Sequence, residues 1–116
     1  MNWVIEYYRD EKDHEPVAEF IDSLPQQSII KILRTLKLLQ SYGVLLKEPH
    51  TKQIRDKLRE LRIKDNKGAI RILYFTYTGR KFILLHGFIK KTVKTPEREI
   101  EAAEKRMKSY IERNLL

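Results

Sequence analysis

From Leu58 onward the hydrophobic pattern changes to period two and keeps that period, through two short breaks, as far as Ile89. The first run is Leu58-Arg59-Glu60-Leu61-Arg62-Ile63. Asp65-Asn66-Lys67-Gly68 is a turn by composition, and Ala69 to Tyr77 is the second run. Thr78-Gly79-Arg80 is another turn, followed by Lys81 to Ile89. Three such runs on short connections make an antiparallel meander. In the last two runs odd and even positions alike are apolar, so both faces of the sheet need a cover.

The flanks supply helices. Residues 2–8 are β-branched and aromatic and read as a first strand, followed by an acidic turn from Arg9 to Glu15. Pro16 suits the first position of a short helix carrying Val17, Phe20, Ile21 and Leu24 inward. Ser23 and Gln26 have capping-box spacing and predict a second helix to about Tyr42, stopped by Gly43. Its apolar stripe is read as Ile29, Leu33, Leu36 and Leu39 or Gln40, widened by Ile32 and Leu38, with Lys31, Arg34 and Lys37 on the wet side. Val44 to Arg55 reads as irregular. Thr95 as N-cap, Pro96 at the first helical position and Glu97 and Glu99 near the dipole's positive end predict a last helix. Ile100, Ala103, Met107, Tyr110 or Ile111, and Leu115 form its stripe. The expectation is a single α/β (α+β) domain over residues 1–116, in the order β-α-α-β-β-β-α.

Charge narrows the function. The net charge is +8 over 116 residues, and its distribution is uneven. Residues 1–30 carry two basic and seven acidic side chains, residues 31–95 seventeen and four, and residues 96–116 five of each. Positive charge concentrated in the strand-bearing middle is the footprint of a polyanion binder. Cysteine is absent, which fits a reducing, cytoplasmic setting. No secretory leader and no apolar run near membrane length is present, so a soluble chain with no membrane partner is expected.

The segment Leu84-Leu85-His86-Gly87-Phe88-Ile89-Lys90-Lys91-Thr92-Val93-Lys94-Thr95-Pro96 ends a buried strand in a cluster of lysines. Taken alone it is either a solvated exit loop or a phosphate site. Arg71 lies among Ile70, Ile72, Leu73 and Phe75, where a charge is costly without a partner. Glu60 or the rim of a phosphate site would satisfy it. His86, beside Phe82, Leu84 and Phe88, reads as a hydrogen-bonded core histidine or a catalyst; His50 reads as a surface imidazole or a base. No Gly-rich phosphate loop precedes a helix, and no histidine pair has metal-ligand spacing, so neither cofactor nor metal is expected. RNA permits cleavage without a metal, because its 2′-hydroxyl can attack the adjacent phosphorus. Arginine orients the phosphate and stabilises its charge, while a lysine among cations has a depressed pKa and can move protons.

Together, Leu58-Arg59-Glu60-Leu61-Arg62, Arg71-Ile72-Leu73-Tyr74-Phe75 and the Leu84–Pro96 segment resemble the HigB-type, phage-derived branch of the RelE/ParE toxin superfamily. The resemblance implies helices on a twisted, mainly antiparallel four-stranded sheet. It implies a type II toxin that cleaves mRNA on the ribosome without a metal, held in check by a cognate antitoxin, often of helix-turn-helix type, through which alone it would meet operator DNA. By position, Arg62, Arg71, Lys90 and Lys91 match the family's basic residues, with His86 as a further catalytic candidate. Arg59, Lys64, Lys67 and Lys94 are the candidates for RNA contact. Some relatives carry a tyrosine or histidine proton carrier near the start of the last helix; here that stretch reads Thr-Pro-Glu-Arg, so Lys91 or His86 would have to serve, or the ribosome would have to help. The alternative is a ParE-like gyrase inhibitor or an inactive homologue that keeps only antitoxin binding.

Overall fold

A computed structural model describes residues 3–66 and 68–115. The strands are β1 (Val4–Tyr7), β2 (Thr51–Arg55), β3 (Leu58–Asp65), β4 (Gly68–Tyr77) and β5 (Lys81–Lys90). The helices are α1 (Pro16–Asp22), α2 (Gln26–Tyr42) and α3 (Glu97–Arg113). One sheet holds all five strands in the order β1-β5-β4-β3-β2; β1 runs parallel to β5 and every other pair is antiparallel. The meander is therefore present, but the sheet has five strands rather than the expected four.

The additional strand is β2, in the stretch read as irregular. Lys52, Gln53 and Arg55 are exposed, and the strand lies at the sheet's outer edge, with β3 its only neighbour among the described residues. An edge strand with little to bury carries no apolar alternation, and charge there discourages further pairing. Its ladder with β3 nevertheless matters, because it sets Lys52 opposite Glu60.

Two cores sandwich the sheet. On one side Leu61, Ile63, Ile70, Ile72, Phe82 and Leu84 meet α1 and α2 through Val17, Ile21, Ile32, Leu36 and Leu39. On the other, Leu58, Leu73, Phe75, Ile83, Leu85 and Phe88 meet α3 through Ile100, Ala103 and Tyr110. The stripe of α2 is rotated from the expected one. Ile32, Thr35, Leu36 and Leu39 are buried, whereas Leu33 is 51% exposed. The capping expectations also change. Pro25 and Pro96 occupy the N-cap positions of α2 and α3; Ser23 donates its hydroxyl to the Phe20 carbonyl, and Thr95 binds elsewhere.

One irregularity re-aims β5. Tyr74 pairs with Leu84, but Leu73 pairs with His86, so Leu85 is an extra residue in the ladder. Before this bulge the odd residues Ile83 and Leu85 face α3; after it the even residues do, Phe88 among them. A one-residue insertion exchanges the faces of everything downstream. Gly87 consequently turns to the α1 side, where a Cβ would run into the Phe20 ring. Lys90, paired with Ala69, turns to the α3 side.

Candidate nucleic-acid interface

α3 packs mainly over β4 and β5, touches β2 and β3 through Arg55 and Leu58, and leaves a cleft between its start and β2–β3 on the same face. The alternation of the strands delivers Lys52, Glu60, Arg62, Arg71 and Lys90 to this side of the sheet. Arg62 and Arg71 stand directly opposite each other in the β3–β4 ladder. Like charges so placed repel unless a counter-charge is built in, and Glu60 supplies it. Its side chain is 1% exposed, with Oε1 3.5 Å from Arg62 Nε and 3.3 Å from Arg71 Nε. Neither Nε–H makes a hydrogen bond there, so these contacts are ionic. Arg71 Nη1 donates to the Ile70 carbonyl, 3.1 Å away. The opposite carboxylate oxygen accepts a 2.6 Å hydrogen bond from Thr95 Oγ1, which ties the chain just ahead of α3 to the centre of the cluster.

Lys52, Glu60, Arg62, Lys90, Lys94 and Thr95 border a cleft of about 230 Å³. Four cations thus surround one carboxylate, and Arg71 touches that carboxylate from β4. The acids at the start of α3 do not offset this charge freely. Arg55 holds Glu97 through two 2.8 Å hydrogen bonds and reaches Glu104 at 3.4 Å, while Glu99 binds His86. Burial lowers the pKa of Lys90 from its ordinary value, and Arg71, Arg62 and Lys52 lower it further against the opposing pull of Glu60. Arg71 is lowered chiefly by burial, Glu60 opposing and Arg62 adding to the shift; a guanidinium so shifted still carries its charge.

The sequence candidates divide by place. Arg62, Arg71, Lys90 and Lys94 come together. Arg59 projects from the other face of β3 and donates to Thr51 Oγ1 at 3.1 Å, beside Tyr74. His86 lies under α3: Arg106 Nη1 donates to its Nδ1 at 2.9 Å, so Nε2 carries the hydrogen and donates to Glu99 at 2.7 Å. Both ring nitrogens are engaged. Lys91 is exposed just beyond β5, and Lys64 is exposed near the far end of β3. Lys67 lies outside the described residues. Two members escaped the sequence reading: Lys52, hidden in the unrecognised edge strand, and Thr95, whose position resembles a helix cap.

Among the described residues no helix is long and apolar enough to cross a membrane, and no three His, Cys, Asp or Glu side chains group as metal ligands would. No curated protein matches the chain significantly. Residues 19–108, from α1 through most of α3, match the family described as phage derived protein Gp49-like (DUF891), in general a RelE/HigB-like toxin family. With the match spanning the helical pair, the meander and the basic cleft, the chain belongs to the Gp49-like family of phage-derived proteins.

Proposed function

We propose that this protein is the toxin of a type II toxin–antitoxin pair and acts as a metal-independent, ribosome-dependent mRNA endoribonuclease. The observation that carries this reading is the convergence of Lys52, Arg62, Arg71, Lys90 and Lys94 around a single buried carboxylate. Membership of the Gp49-like family is compatible with it.

In this reading Arg62 and Arg71 hold the scissile phosphate, and their charge stabilises the extra negative charge that develops at phosphorus. Glu60 is a positioning residue. It keeps two repelling guanidiniums on one side of the sheet and is too buried to meet substrate itself. Lys90, with its lowered pKa, takes the proton from the 2′-hydroxyl. The 2′-oxygen bonds to phosphorus, the bond from phosphorus to the 5′-oxygen breaks, and the 5′-oxygen receives a proton. Lys94, bordering the same cleft, is the assigned acid, with Lys91 the second candidate beside it. The products are a 2′,3′-cyclic phosphate and a 5′-hydroxyl. His86 holds α3 on the sheet in this scheme rather than carrying a proton. The antitoxin acts by covering the cationic cleft.

The test is incubation of purified protein with programmed ribosomes and a defined mRNA, with the new ends characterised chemically. Cyclic-phosphate ends made by wild type and not by Arg71→Lys are expected, since lysine keeps the charge and loses the planar fork. Intact mRNA with wild type would refute the assignment, and trapped gyrase–DNA complexes from the same preparation would point to the inhibitor reading instead.

A further inference from the structure

Arg62 borders two hollows. The second, about 520 Å³, opens between α2, the chain at Pro49–His50 and the outer end of β3, and Arg71 lines it as well. Its inner surface includes buried Ile63 together with Thr35, whose hydroxyl is used by the Lys31 carbonyl at 3.0 Å. Its rim carries exposed Arg34, Lys64 and Pro49, with half-buried His50. None of the described residues lining it is acidic. Neither α2's basic side nor His50 has any task in the chemistry assigned to the first cleft.

We infer that this second hollow seats the base of the nucleotide next to the scissile phosphate, as a single-stranded RNA passes from the Lys90 cleft over Arg62. The inference rests on the endoribonuclease reading and extends it. Size permits it, since pockets for small ligands run from about 300 to 1,000 Å³. Chemistry favours it: an apolar floor beneath cations fits a flat ring attached to an anionic backbone, and a guanidinium such as that of Arg34 stacks on such rings. An acidic peptide would satisfy the rim and leave the floor without a partner. Continuity supplies the direction, because Arg62 and Arg71 belong to both the hollow and the cluster around Glu60.

The experiment is an NMR titration of the full chain, labelled at the Ile63 and Thr35 methyls and at backbone amides, with a 2′-O-methyl hexaribonucleotide that cannot be cleaved. A matching oligomer without bases is the comparison. Shifts at Ile63 and Thr35 alongside Lys90 and Thr95, with the baseless oligomer moving only Lys90 and Thr95, would support the inference. So would a tenfold or greater loss of RNA affinity in Arg34→Glu/Lys64→Glu, against less than threefold for the equal charge change Lys105→Glu/Lys108→Glu on exposed positions of α3. Shifts confined to Lys90 and Thr95 would overturn the second seat and leave the endoribonuclease reading standing. Equal movement of Ile63 by the baseless oligomer would also overturn it, and so would silence at every site, while the endoribonuclease reading is judged by the ribosome assay above.

Discussion

Arg62 and Arg71 face each other across the β3–β4 ladder, and both guanidiniums rest on the same oxygen of Glu60. Two cations that would otherwise drive their strands' side chains apart are thereby held ready for a third, external anion. The arrangement differs from a pair of ordinary salt bridges, because the two arginines share one buried carboxylate; Arg62 has only a second, longer contact of 4.0 Å, to the exposed Glu48. Even with Glu48 counted beside Glu60, Arg62, Arg71, Lys52, Lys90 and Lys94 leave an excess of positive charge there.

Glu60 should therefore matter to stability before it matters to activity. Removing one partner of a buried ionic group leaves the others uncompensated, at a cost of about 3–5 kcal/mol when burial is complete. Arg62 and Arg71 side chains retain 25% and 12% exposure, which lowers the expected loss for Glu60→Gln to about 2 kcal/mol. Urea unfolding measures it directly. A variant as stable as wild type would show that the arginines do not depend on this carboxylate.

Thr95 should act through its hydroxyl and not as a helix cap. Thr95→Val keeps the shape and loses the 2.6 Å bond to Glu60, worth about 1.5–3 kcal/mol for a charged acceptor. Thr95→Ser should restore most of it. In a double-mutant cycle with Glu60→Gln the two losses should fall well short of additive, whereas additive losses would place the role of Thr95 elsewhere.

Lys90 gives a prediction in pH. Its folded pKa lies below the unfolded value, so the unfolded chain binds more protons between the two. The lysine therefore costs stability below its folded pKa, and that cost fades as pH rises toward the ordinary lysine range. Lys90→Met should be the more stable protein at neutral pH, with the difference closing at high pH. Titrated by side-chain NMR, Lys90 should lose its proton at lower pH than exposed lysines. Glu60→Gln should lower that value further and Arg71→Ala should raise it, because the first removes the one acid and the second one of the cations acting on it.

Gly87 tests the bulge. With Leu85 inserted, Gly87 lies against Phe20, and Gly87→Ala should cost about 1–3 kcal/mol by overpacking. Adding Phe20→Leu should recover part of it. If Gly87→Ala is harmless and Ile89→Ala also has no effect on stability, β5 does not have the faces described.

Much of this arrangement was legible in the sequence, and the gaps have physical causes. The meander and the C-terminal helix follow from period and turn composition, and the cost of a buried charge offered Glu60 as one of two partners for Arg71, the one it contacts. Lys52 stayed hidden because an exposed edge strand has no apolar alternation to report. Which of Lys90 and Lys91 faces the cleft depends on the bulge at Leu85, and a one-residue slip leaves no mark in hydrophobic pattern. Arg59 and Arg62 look equivalent in Leu-Arg-Glu-Leu-Arg, yet a spacing of three puts them on opposite faces of a strand. Thr95 preceding Pro96 reads as a cap, and only the neighbouring strand reveals that its hydroxyl serves Glu60.

The most direct measurement is the mapping of transcript ends after brief induction of wild type and of Arg71→Ala. The account predicts new ends inside coding sequence within minutes for wild type and none for the variant, with the variant confirmed as folded by its unfolding transition. Unchanged transcripts under wild-type expression, or equal cutting by the folded Arg71→Ala protein, would contradict it.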